Sequence, residues 1–442
     1  MRRVPPCGTV VLAALLIPAT ARAQAAIAGI VKDSSGSVLP GVAVQATSPA
    51  LIERVRSVAT DGTGQYRIAD LRPGSYEVSF ALSGFRTVRR TGIVLEGNFA
   101  APINVALELG DLSETVTVAA ESPVVDVVGN RQTFVVNRAM LDSIPTATRS
   151  VPARANLIPG TTVTPGASGQ TSMTVHGSQA ADQVVMLDGM RLNLLEGQGQ
   201  FTGIDLNDGM AQEISYDTGA LSAEVAQGGL RANIIPREGG NRFSGALFIQ
   251  GASGPLASDN RSEEVERFIP EPLGLAHTYE LNASLGGPIK RDKLWFYFTY
   301  KLLDTKSYVA LPDRSRGFQE YWPNHSYVAR LTWRASSRDT VRVYLEQQMN
   351  GQRYEGLGAT TTLEASHRLW TPRGFTPQVK WTQTTTDRLL LEAGITMYDQ
   401  LFRREPQPGQ SPNDLPRFEV GSGVNSGAFG GTLDSWTKNY TS

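Results

Sequence analysis

The stretch Tyr279-Glu280-Leu281-Asn282-Ala283-Ser284-Leu285-Gly286-Gly287-Pro288-Ile289-Lys290-Arg291-Asp292-Lys293-Leu294-Trp295-Phe296-Tyr297-Phe298-Thr299-Tyr300-Lys301-Leu302 decides the fold. Tyr279, Leu281, Ala283 and Leu285 alternate with Glu280, Asn282 and Ser284, and after a short polar turn Leu294, Phe296, Phe298, Tyr300 and Leu302 share one face. A period of two is that of an extended strand with one apolar face. The same period returns in Tyr327/Ala329/Leu331/Trp333, in Val341/Val343/Leu345 and in Leu389/Leu391/Ala393/Ile395/Met397. With 243–249 and 378–382 these make a set of seven predicted strands. The connections alternate: 251–277, 303–325 and 348–375 are long, whereas 286–293, 335–339 and 384–387 are short. Long loops at one end and short turns at the other are the pattern of a transmembrane β-barrel. Trp295, Tyr297, Trp333 and Tyr344 are expected in its interfacial aromatic girdles. A soluble antiparallel sheet also alternates, and the ordered loop lengths favour the barrel.

The rest of the composition agrees. The chain has 442 residues, a net charge of −1 and 44 glycines. It lacks the basic surplus of a nucleic-acid binder, so no nucleic-acid partner is expected. Arg2 and Arg3, the apolar stretch from Val10 to Ala19 and the small-x-small site Ala21-Arg22-Ala23 read as a secretory signal peptide over residues 1–23. The one cysteine, Cys7, lies inside it without the lead-in of a lipidation site, so the mature chain has no thiol chemistry. No later segment is long and apolar enough for a membrane helix, and a closed barrel is the remaining way to span lipid.

Ahead of the barrel run, 27–31, 42–46, 55–59, 66–68, 76–80 and 103–109 are short β-rich runs. The turns Asp33-Ser34-Ser35-Gly36, Asp61-Gly62-Thr63-Gly64 and Arg72-Pro73-Gly74 separate them, a spacing that predicts a sandwich. Asp61 lacks the alternating acidic partners of a calcium loop and reads as a turn residue. Between sandwich and barrel, Ser113 to Ala119 is one extended β-branched run, 131–141 and 145–159 have weaker helical or irregular character, and Met173 to Gly177 and Val184 to Gly189 are strand-and-turn units. Asp188-Gly189 suits a tight hairpin.

Several motifs carry a family resemblance. Gly29-Ile30-Val31-Lys32-Asp33, Leu39-Pro40-Gly41-Val42, Thr60 to Ile68, Leu71 to Val78 and Ser83-Gly84-Phe85 resemble the carboxypeptidase regulatory-like domain, which implies a transthyretin-like sandwich of carbohydrate-binding-like fold. Leu157-Ile158-Pro159-Gly160, Gln183 to Gly189, the segment Glu224 to Gly245 and Gly286 to Tyr297 resemble the plug, the plug-to-barrel junction and the first periplasmic hairpin of an Oar-like TonB-dependent receptor. Glu114, Thr115, Val116, Thr117 and Val118 resemble its TonB box. The expected fold is mainly β: the sandwich, then an α+β plug, then the first strands of an antiparallel transmembrane barrel. The expected divisions are signal peptide 1–23, sandwich 24–110, TonB box and linker 111–125, plug 126–236 and partial barrel 237–442. The resemblance implies energised transport across a Gram-negative outer membrane, with the sandwich in the periplasm. Its implied partners are TonB with its inner-membrane energising complex, outer-membrane lipid and an extracellular substrate. No cofactor or metal and no catalytic residue is expected. His176-Gly177 departs from the Arg-Gly frequent at that plug position, so a salt bridge expected there is in doubt, and 146–156 is atypical.

Rival readings remain. The H-x-x-E spacing of His277 and Glu280 could serve a zinc carboxypeptidase, but a strand would send the two side chains to opposite faces, and His325 and His367 fall in expected loops. The extended run 114–118 could instead be a last sandwich strand, and the TonB box is the favoured reading. A surface adhesin or protein-export pore on the same scaffold is the other alternative. Seven strands fall short of the ~22 of plugged outer-membrane transporters, so the sequence is also expected to be an amino-terminal fragment of a longer receptor.

Overall fold

A computed structural model describes residues 25–51, 54–95, 100–110, 115–119, 132–144, 151–165, 171–192, 207–219, 228–256, 258–259, 261–268, 271–386, 389–410 and 414–441. The expected signal peptide and Glu114 lie outside the described residues.

The first unit packs two sheets face to face. Its strands are β1 (Ala26–Asp33), β2 (Ala43–Thr47), β3 (Val55–Ala59), β4 (Gln65–Ile68), β5 (Gly74–Ala81), β6 (Thr87–Leu95), β7 (Ala100–Pro102), β8 (Val105–Leu107) and β9 (Thr115–Ala119). One sheet runs β4-β1-β7 with β8 also on β1; the other runs β3-β2-β5-β6-β9. Alternate residues of β2, β4 and β5 point inward, so Val44, Ile68, Val78 and Phe80 meet Ile27, Ile93 and Leu107 in one core. Each such buried side chain stabilises the unit by roughly 1.5–3 kcal/mol. Tyr66 also enters the core, and its hydroxyl donates to the Ile103 carbonyl at 2.8 Å. The Asp61 carboxylate accepts from the Thr63 amide and hydroxyl at 2.8 and 2.6 Å, the bonding of a turn residue. Strand β6 was not among the expected runs; Arg89-Arg90 and Gly92 break its alternation, yet Val88, Ile93 and Leu95 reach the core.

The second unit mixes short helices with a sheet. It contains β10 (Gln132–Asn137), helices Arg138–Ser143 and Val151–Ala155, β11 (Thr161–Pro165), β12 (Thr171–Val175), β13 (Val184–Leu187), β14 (Met190–Arg191), β15 (Ala211–Gly219) and β16 (Arg231–Pro236). The sheet order is β10-β15-β16-β13-β14. Strand β13 lies parallel to β16 and is buried throughout, which is why Val184-Val185-Met186-Leu187 is apolar at every position. The β13–β14 turn has positive φ at Asp188 and Gly189, the geometry of a tight hairpin.

The third unit is one antiparallel sheet. It comprises β17 (Ser244–Ser253), β18 (Gly274–Lys290), β19 (Leu294–Ala310), β20 (Arg316–Arg334), β21 (Asp339–Glu355), β22 (His367–Thr386) and β23 (Leu389–Pro406). A small hairpin, β24 (Pro416–Glu419) with β25 (Val424–Gly427), precedes β26 (Leu433–Thr441), which pairs with β23 as an eighth strand. That strand corrects the expected seven; Lys438 interrupts its apolar face between Trp436 and Tyr440. The strands are also longer than their apolar runs. The expected long loop 303–325 is mostly strand, leaving a turn at 311–315, and His325 and His367 sit in β20 and β22 rather than in loops. At 17 to 20 residues, β18 to β23 exceed the ~10 residues needed to cross a bilayer. Beyond the membrane both faces meet water, so the alternation that marks a strand disappears there.

The two faces of this sheet are inverted relative to a soluble protein. Leu247, Ile249, Phe298, Leu331, Leu345 and Ile395 are exposed, whereas Thr299, Ser326, Arg330, Glu346 and Gln378 on the other parity are buried. Ile249 is 67% exposed while Thr299 is 0%. An apolar outer face around a polar interior is the arrangement of a membrane barrel wall. Three of the four expected girdle aromatics belong to the interior instead: Trp295, Tyr297 and Tyr344 are buried, and Trp333 alone is exposed. The correction is one of parity, since Trp295 and Tyr297 alternate with outward Leu294, Phe296 and Phe298.

Candidate functional site

The interior of the wall grips the second unit at two places. At the first, the turn at 207–210 meets the wall through side-chain amides and hydroxyls. Asn207 caps its own turn, its Oδ1 accepting from the Gly209 amide at 3.1 Å, and also accepts from Asn282 Nδ2 at 2.9 Å. Thr299 Oγ1 donates to Asn282 at 2.9 Å, and the Tyr297 hydroxyl donates to the Gly209 carbonyl at 2.6 Å. Gly209 is required by this close approach: a Cβ there would stand 2.2 Å from Asn282 Oδ1. Gln378 Nε2 donates to the Leu187 carbonyl at 3.0 Å on the far side of the same unit. Within it, Arg154 and Asp208 form a bidentate ion pair with both side chains 1% exposed.

The second place is a charge cluster where all three units meet. Arg330 on β20 pairs with Asp188 of the β13–β14 turn at 2.6 Å and with Glu238 at 2.8 Å. Arg342 on β21 pairs with Glu238 at 3.0 Å and with Asp70 of the sandwich at 3.2 Å. Arg72, two residues further along the sandwich loop, pairs with Glu238. Three carboxylates thus face three guanidiniums, so the desolvation of each charge is offset by opposite neighbours. Burial alone would raise the Asp70 carboxyl, but Arg342 and Arg56 outweigh it and hold that group below its ordinary range. In the sequence Arg72 and Asp188 mark turns and Glu238 falls within the junction segment, but nothing there points to their charges meeting. Positions 70, 72, 188, 238, 330 and 342 are brought together by tertiary structure, and no local pattern announces them.

His176 is exposed, with positive φ, and its ring lies against Gly160. Arg154, Arg330 and Arg342 are among the arginines that pair with carboxylates in the interior. His277 and Glu280 do not converge: Glu280 is buried and accepts from Gln250 at 2.7 Å, whereas His277 stacks on outward Tyr279 and lies 3.7 Å from Asp304. Among the described residues, Thr115 to Val118 of the expected TonB box, with the following Ala119, form β9, parallel to β6 with Val116 opposite Val88. This is the position of a last sandwich strand; it leaves open what that strand binds.

Comparisons with known proteins agree with this architecture. Residues 26–108 match the family model of the carboxypeptidase regulatory-like domain. Over 303 residues the chain is 30% identical to the TonB-dependent transporter Oar of Myxococcus xanthus, covering 66% of this chain and 28% of that one. The outer membrane transporter YddB from Escherichia coli shares the fold with a TM-score of 0.52 at 10% identity, over 70% of this chain and 44% of YddB. A ferric enterobactin receptor mutant, PfeA from Pseudomonas aeruginosa, does so with a TM-score of 0.50 at 14% identity, over 70% and 45% of the two chains. The fold is therefore a carboxypeptidase regulatory-like sandwich followed by the plug and barrel strands of a TonB-dependent receptor. In sequence the resemblance is to the Oar-like type, and the chain spans less than a third of that relative's length.

Proposed function

We propose that the protein is an outer-membrane TonB-dependent receptor that takes up a large or scarce substrate: a glycan, a peptide or a metal chelate. The observation that carries this reading is a wall with an apolar outer face whose polar interior is filled by a hydrogen-bonded plug. Such a wall crosses lipid, and such a plug must be displaced before cargo passes. The sandwich over 24–110 lies in the periplasm, the box and linker 111–125 add its edge strand β9, and the plug 126–236 and the barrel strands 237–442 follow. Cargo binds the extracellular loops and outer plug surface. TonB, driven by its inner-membrane complex, then pairs with Glu114, Thr115, Val116, Thr117 and Val118 by β-augmentation, in which backbone hydrogen bonds carry the affinity. The β-branched run 115–118 favours the extended geometry this needs. The similarity to proteins named as transporters and receptors supports transport over adhesion or catalysis.

The test is Val116→Pro, which deletes one backbone donor. Normal outer-membrane levels and cargo binding are expected, with TonB cross-linking and energised uptake lost; Val116→Thr should transport normally. Normal uptake by the proline variant would remove the box assignment. Loss of the folded sandwich in it would give the run a structural role instead.

A further inference from the structure

The TonB-box run is already a strand before any partner arrives. Strand β9, Thr115 to Ala119, lies parallel to Thr87 to Thr91 of β6 and ends the order β3-β2-β5-β6-β9. Among the described residues no strand lies beyond it. Among the described residues one edge of β9 is therefore occupied by β6, and the other offers backbone donors and acceptors in extended geometry. An open strand edge is a template for a further strand, and a strand already ordered has less conformational entropy to lose on binding than a loose tail.

Resting on the box reading above, we propose that TonB adds to the outer edge of β9 while β9 stays on β6, so that the sandwich sheet continues into the partner's sheet. The sandwich is then a platform that presents the box, not a cover that hides it. A second observation gives the platform a mechanical sense. The same unit is fixed to the barrel and junction through Asp70 on Arg342 and Arg72 on Glu238, and Glu238 shares Arg330 with the plug turn at Asp188. Tension on β9 thus reaches the plug through folded structure as well as through the linker that follows the box.

The two possibilities, platform and cover, separate when β9 is fastened to β6. Arg89 and Thr117 are register partners, Arg89 is exposed, and its ion pair with Glu77 at 3.2 Å is also exposed. The full chain carrying Arg89→Cys and Thr117→Cys has no other cysteine beyond the expected signal peptide. Binding of TonB's purified periplasmic domain is measured with the pair oxidised and then reduced, disulfide formation being checked by thiol titration. The dissociation constant should differ by less than about threefold between the two states. A loss of tenfold or more on oxidation, restored by reduction, would overturn the proposal and show that β9 must leave β6. Adding Val116→Pro to the reduced protein should abolish binding. If that variant still binds, the box reading itself fails, an outcome distinct from the first.

Discussion

Replacing Asp208 by Asn keeps the shape of the side chain and removes only its charge. Arg154 then keeps a guanidinium that is 1% exposed and has lost its bidentate carboxylate partner. Removing one member of a buried pair costs about 3–5 kcal/mol, because the remaining charge stays desolvated without its counter-ion. A factor of ten in an equilibrium corresponds to about 1.4 kcal/mol, so local opening of the plug should rise by roughly two to three and a half orders of magnitude. The effect should concentrate where the pair sits. Nearby Tyr216 holds the helix of Arg154, its hydroxyl donating to the Val151 carbonyl at 2.7 Å. Hydrogen exchange of the β15 and β16 amides in the detergent-solubilised full chain reads this directly, with the β19–β22 amides as an internal reference. Arg154→Met combined with Asp208→Leu replaces both charges by apolar groups and should recover most of the protection, since a buried pair is often no more stable than a hydrophobic one. If Asp208→Asn exchanges like the parent, or no faster than the double variant, the pair does not hold the plug together and the reasoning is wrong.

Two further outcomes follow from the charge cluster. Glu238→Gln should loosen the sandwich: its contact with Arg72, which is 24% exposed, is worth about 1 kcal/mol after solvent screening, and Arg342 keeps Asp70. Spin-label distances between the sandwich and the 335–338 turn should then show about a fivefold larger undocked population, and an unchanged distribution would deny Glu238 that role. The pH response has a definite sign. The Asp70 carboxyl is held below its ordinary value of 3.8, so its contribution to docking is fully present above that value and is lost only as pH falls through the lower folded value. The same distances should therefore be unaltered between pH 7 and 5, and undocking within that interval would mean another group controls the contact.

Legibility followed the physics of each region. The wall could be read because lipid demands an apolar residue at every second position, as in Leu294, Phe296 and Phe298. Where both faces are wet the demand ends, and the outer halves of β19 and β20 carry no alternation to tell them from loops. Trp295, Tyr297 and Tyr344 have the aromatic character of girdle residues but the parity of the interior; Gly209 and Met210 of the plug partner Tyr297 and Tyr344, and Asn241 partners Trp295. Strand β6 was hidden by its arginines and β26 by Lys438. Asp188-Gly189 was legible as a turn because its chemistry is local, whereas the pairing of Asp188 with Arg330 joins residues far apart in the chain.

The central claim is that one parity of the β17–β26 sheet faces hydrocarbon and the other faces the plug. Single nitroxide labels at each position from Leu294 to Leu302, in the protein reconstituted into lipid vesicles, test it most directly through collision with dissolved oxygen against a water-soluble nickel reagent. The wall described here requires oxygen contact to peak at Leu294, Phe296, Phe298 and Tyr300 and to fall at Trp295, Tyr297 and Thr299, with a period of two. A flat profile, or nickel access at the even positions equal to that of a water-exposed loop, would contradict it.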